Sequence, residues 1–73
     1  MAETRILKIE SEYIELYQAL KYEALTSSGG EAKFVISEGL VEVDGEVETR
    51  KRKKITPGSV IQYDGATLKI ETK

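Results

Sequence analysis

The chain has 73 residues, 40% of them apolar, with eleven basic and thirteen acidic side chains giving a net charge of −2, and it contains neither cysteine nor histidine. That length holds one small domain, and the missing residue types exclude a disulfide framework, a thiolate zinc site, a cysteine nucleophile and an imidazole base. No stretch approaches bilayer-spanning length, and Met1 to Arg5 lack the basic start and apolar run of a secretory leader, so a single cytoplasmic, monomeric domain over residues 1–73 is expected, with no membrane partner.

Thr4 to Ile9 is rich in β-branched and aliphatic residues and predicts a first strand. Ser11 is a candidate helix cap, and Tyr13, Leu16, Tyr17, Leu20 and Ala24 follow at i, i+3, i+4, i+7 and i+11, an apolar stripe of helical period. Small polar residues from Thr26 to Gly30 interrupt it. Ser28 with Glu31 three positions later is a capping-box signature for a second helix whose inward face is Ala32, Val35 and Ile36. Gly39 stands where a helix needs left-handed backbone, which ends that helix near Glu38, after about ten residues.

Val41, Val43 and Val47 alternate with Glu42, Glu46 and Glu48 around Asp44-Gly45, a pair suited to a two-residue turn because both central positions need positive φ. Thr56-Pro57-Gly58 turns the chain again. Val60 to Tyr63 and Thr67 to Glu71 around Asp64-Gly65 then predict a second hairpin. The expected order is strand, helix, helix and four strands, an α+β class.

Arg50-Lys51-Arg52-Lys53-Lys54 gathers five of the eleven basic residues into one run, leaving six basic against thirteen acidic residues elsewhere. An acidic body with one basic strip orients on a polyanion while resisting indiscriminate binding. If the run is extended, Arg50, Arg52 and Lys54 share one face and Lys51 and Lys53 the other. Arginine forks match phosphate oxygens in bidentate geometry, but a charged edge also serves simply to block strand pairing.

The helix opening at Ser28-Gly29-Gly30 has exposed amides that attract anions, or it is plain capping, and Glu31 would repel a phosphate placed directly there. Lys33, one turn further in, is the more credible ligand-facing charge. Tyr13 and Tyr17 lie on the apolar stripe and are assigned to the core. Tyr22 lies off it and stays a candidate for base stacking. Neighbouring carboxylates such as Glu10 with Glu12 and Glu42 with Asp44 read as solvated surface, with no second ligand type at metal spacing. Gly29-Gly30 lacks the residues that complete a phosphate loop or dinucleotide fingerprint.

The order of these segments is itself informative: a Ser/Gly-opened helix with Glu31-Ala32-Lys33, then Gly39-Leu40-Val41-Glu42-Val43-Asp44-Gly45, then Glu48 to Ile55 and Pro57 to Ile61. It resembles the RNA-binding module named after small-subunit ribosomal protein S-four, also called the αL motif, and above all its small stand-alone bacterial members. The resemblance covers about residues 12–64. It implies two short helices packed on a small, mainly antiparallel sheet, and a grip on structured RNA by the second helix and adjoining hairpin. Carried onto this chain, it implies contacts from Lys33, Arg50, Lys51 and Arg52, with Ser28 and Gly29 near the RNA backbone and Lys21 and Lys53 as peripheral charges.

Ribosomal RNA is the favoured ligand under that resemblance, in assembly or in a stalled particle, with transfer RNA as another. Some family modules are appended to pseudouridine synthases or aminoacyl-tRNA synthetases. This chain has no room for such a domain, so a non-enzymatic binder without cofactor or metal is expected. Two positions depart from the family pattern: Tyr13-Ile14-Glu15-Leu16 replaces the common Arg-Leu-Asp element, and Phe34 stands where a second basic residue is frequent. The alternative reading is a protein-interaction module whose basic strip docks on an acidic partner.

Overall fold

Apolar and polar residues alternating along the strands build a sheet with one covered face. The computed structural model describes Glu3–Lys73, and Met1 and Ala2, which begin the expected 1–73 domain, lie outside the described residues. The elements are β1 (Glu3–Ile9), β2 (Ile14–Glu15), α1 (Leu16–Tyr22), α2 (Gly29–Ser37), β3 (Val41–Val43), β4 (Glu46–Val47), β5 (Lys54–Ile55), β6 (Val60–Tyr63) and β7 (Ala66–Thr72).

Five strands form one sheet in the order β1-β7-β6-β3-β4, antiparallel except for the parallel pair of β1 with β7. The expected α+β class, two short helices on a mainly antiparallel sheet, is what is found. Rows of paired residues such as Leu68, Ile61 and Val43 run across the covered face. Ile9, Val41, Ile61, Leu68 and Ile70 from that face meet Leu16, Ala19 and Leu20 of α1 and Ala32, Val35 and Ile36 of α2 in a single core. Each fully buried Leu or Ile contributes roughly 1.5–3 kcal/mol relative to exposure.

Both hairpins form as expected. Asp44 and Gly45 have φ of 51° and 86°, and Asp64 and Gly65 have 49° and 80°, the positive pairs that match the twist of flanking strands. Gly58 at φ 100° follows Pro57 in a turn closed by Ser59 N donating to Thr56 O. The second helix also starts and stops near the expected places, with Ser28 as N-cap and Glu38 as C-cap.

The first helix does not. It begins at Leu16 with Glu15 as N-cap, and the Ser11 hydroxyl donates to Tyr13 O instead of capping it. The cause is a second, two-stranded sheet that the alternation did not reveal: Ile14 pairs with Ile55 and Glu15 with Lys54. Pairing holds Ile14 and Glu15 extended, so the stripe is helical only from Leu16. Ala24 leaves the helix at its other end, taking φ of 56° as the left-handed residue of the C-terminal turn. Among the described residues the observed order therefore has seven strands, with β2 and β5 added.

Candidate functional site

The basic run is not an extended strand. Lys51 and Arg52 sit in a turn closed by Lys53 N donating to Arg50 O at 3.1 Å, and only Lys54 continues into β5. The condition for a two-faced alternation is therefore not met, and Arg50, Arg52, Lys53 and Lys54 line one shallow concavity.

Backbone hydrogen bonds fasten this turn to α1. Leu16 N donates to Lys53 O at 3.0 Å and Tyr17 N to Lys51 O at 3.1 Å. Amides in the first turn of a helix have no partner within it, and here the carbonyls of the basic turn supply one. Glu15 N donates to the Gln18 side chain, a longer contact of 3.4 Å. The bend also points the carbonyls of Lys51 and Lys53 at α1, while the side chains of Lys51 and Arg52 stay exposed.

Tyr17 extends the connection to α2. Lys33 Nζ stands 4.8 Å from the centre of its ring, within the range where a cation is drawn to an aromatic face. A methyl group added at Gly29 would lie 3.8 Å from Lys21 Cδ and 4.0 Å from Tyr17 Cδ2, so the α2 N-terminus, the Lys21 stem and the Tyr17 ring converge. The structure thus gathers Lys21, Gly29 and Lys33 around Tyr17, and Tyr17 is bonded through its backbone to the basic turn. Tyr17 is half-buried against the core instead of enclosed by it.

Tyr13, assigned to the core from its spacing, is 41% exposed, with Lys54 Nζ 5.0 Å from its ring centre. Its position before the helix, in the approach to the β2–β5 pair, removes it from the stripe. Tyr22 and Phe34 are exposed.

Among the described residues, two expected site residues have side chains that are already hydrogen-bonded. The Ser28 hydroxyl accepts from Glu31 N at 3.1 Å, which is capping. The Glu31 carboxylate accepts from Ser27 N and the Ser27 hydroxyl, placing its charge at the helix start, so the capping box is offset by one residue. Arg50 is the other. Its Nε and Nη2 donate to Glu48 Oε2 and Oε1 at 3.0 and 3.1 Å, and its backbone N donates to the same carboxylate at 3.1 Å. These hydrogen bonds, opposed by partial burial, hold the Glu48 carboxyl below its ordinary range, and the same pairing pushes the Arg50 guanidinium up.

Residue type and spacing marked neither Tyr17 nor Glu48 for the site. Only Glu48 left a readable signal: Glu48 and Arg50 are two apart, which puts them on one face of an extended chain. Tyr17 with Lys33 and Tyr13 with Lys54 depend on long-range pairing that no local pattern encodes.

The sequence matches the S4 domain family over residues 7–71. It is 45% identical over 58 residues to YbcJ of Escherichia coli K12, named as a candidate RNA-binding protein, covering 80% of this chain and 83% of that one. It is 37% identical over 59 residues to RlbA of Bacillus subtilis 168, named as a candidate ribosome maturation protein, covering 81% of this chain and 83% of that one. The fold is similar to the solution structure of Escherichia coli YbcJ, described as an αL motif involved in RNA binding. The TM-score is 0.69 at 39% identity, covering 97% of this chain and 89% of the other.

Proposed function

We propose that this chain, which belongs to the S4 domain family, is an RNA-binding protein that grips structured RNA by its phosphate backbone. The observation that carries the reading is the fastening of the basic turn to α1, next to Lys21, Gly29 and Lys33. A flexible basic segment would lose conformational freedom on binding, whereas a turn bonded at Lys51 O and Lys53 O has already lost it. Lys51 and Arg52 are the foremost phosphate contacts, Lys21, Lys33 and Lys53 extend the track, and Arg50 joins it in spite of Glu48. Ser28 acts through α2, whose start it caps beside Gly29. The protein works by binding alone.

Ribosomal RNA is the proposed ligand, supported by the name of the Bacillus subtilis relative. Transfer RNA is the competing ligand, and the test compares the two. Purified protein is titrated against ribosomal, transfer and single-stranded RNA at several salt concentrations, beside the variant Arg50→Glu/Lys51→Glu/Arg52→Glu. With about four to five phosphates engaged, log affinity should fall against log salt with a slope of about −3 to −4.5. Preference for ribosomal RNA, lost in the variant, is the expected result. Weak, equal binding that the variant does not change would overturn the reading and turn attention to acidic protein partners of the same strip.

A further inference from the structure

Arg50 is the one member of the basic turn whose guanidinium is bonded to a carboxylate among the described residues. A guanidinium offers two edges to an oxyanion: the side edge of Nε with Nη2, and the outer edge of Nη1 with Nη2. Glu48 takes the side edge in the paired geometry that a phosphate would use, and it also accepts from the Arg50 backbone N. The two partners are unequal. The Glu48 side chain is only 14% exposed, in a cleft lined also by Val43, Asp44, Glu46, Val47 and Lys53, whereas Arg50 is 72% exposed. The carboxylate is therefore the fixed partner, and the arginine is held to it.

We propose that Glu48 is a specificity-determining residue: it stands in for a phosphate on the side edge of Arg50, so that an RNA must displace it or bind through the outer edge alone. The inference rests on the RNA-binding reading and deepens it. Its consequence is selectivity. A loose polyanion gains affinity from every accessible cationic edge, with a counterion-release gain for each phosphate neutralised. Occupying one edge of Arg50 lowers that indiscriminate gain. An RNA whose shape fits the rest of the track is less dependent on Arg50.

The test is a cycle of Glu48→Gln and Arg50→Gln, singly and together, titrated with single-stranded polyuridine at several salt concentrations. Glutamine keeps the size of the side chain and an acceptor for Arg50 N. Glu48→Gln should raise polyuridine affinity about three- to tenfold at low salt and steepen the salt slope by about 0.7. In the Arg50→Gln background the same change should alter affinity less than twofold. An equal gain in both backgrounds would show a general charge effect and overturn the proposal, as would unchanged or weakened binding.

A second titration needs no RNA. Inorganic tripolyphosphate is added while the Arg50 Nε–H resonance is followed by NMR, and its midpoint should fall at least threefold in Glu48→Gln. Coincident midpoints overturn the role of Glu48 even if RNA binds. Separated midpoints without RNA binding sustain competition at Arg50 and sink the RNA reading.

Discussion

The two helices are of similar length and contribute three core residues each, yet they are started by different physics. Residues beside it in the chain start α2: Ser28 accepts from Glu31 N, and Glu31 reaches back to Ser27. α1 has a local capping box of Glu15 with Gln18 as well, but its first amides, Leu16 N and Tyr17 N, donate to Lys53 O and Lys51 O, partners more than thirty positions away. A locally capped helix only needs its own sequence to be right. A helix capped by a distant loop makes the loop part of its foundation, and here that loop carries the basic residues. Stability of α1 and placement of the proposed RNA-binding charge are therefore one property.

The largest test of this contrast is Ile55→Ala. Ile55 is fully buried and pairs with Ile14 beside the basic turn. Truncation should cost about 2–5 kcal/mol in denaturant unfolding. Amide exchange should quicken at Leu16 and Tyr17 well before it does at Glu31 and Ala32, and RNA affinity should fall although no basic residue has changed. Equal acceleration in both helices would mean that the turn is not α1's particular support.

Ser28→Ala is the converse. Loss of the cap should cost about 1 kcal/mol, read by thermal unfolding. Exchange should rise at Glu31 while Leu16 and Tyr17 keep their protection.

The helix ends sharpen the comparison further, because they share one geometry with different residues. Leu40 N donates to Val35 O and Gly39 N to Ile36 O, and in α1 Leu25 N donates to Leu20 O and Ala24 N to Lys21 O. Gly39 at φ 75° and Ala24 at φ 56° hold equivalent left-handed positions. A left-handed non-glycine residue costs roughly 1–2 kcal/mol, so Ala24→Gly should stabilise by about 1 kcal/mol after its own entropy cost. Gly39→Ala should destabilise by a similar amount, about 1 kcal/mol, since its methyl group would meet Val47 Cγ1 at an ordinary 3.6 Å and conformation alone decides.

The smallest expected effect is electrostatic. Because Arg50 lowers the Glu48 pKa in the folded chain, the pair's contribution is complete above the ordinary value of 4.5 and fades as pH falls through the lowered one. Below that window Arg50 should be released, read as loss of the protection of its Nε–H relative to that of Arg52 at the same pH. A ratio of the two exchange rates that acidification leaves unchanged would contradict the pairing.

The features legible from residue order alone obey short-range rules. Asp44-Gly45 and Asp64-Gly65 fix their turns because positive φ is cheap there, and Ser28 and Gly39 bracket α2 because cap, helix and stop lie within twelve consecutive residues. Family membership was legible in the same ordered segments. Contacts in the folded chain set where α1 begins, that Ala24 leaves it, and that the basic run turns instead of extending. They also determine that Tyr17 joins Lys33 to the turn and that Glu48 already holds Arg50. The pairing of Ile14 with Ile55 spans forty-one positions and leaves no periodic trace in either segment. A two-residue strand is too short to alternate, so its partner, not its pattern, makes it a strand.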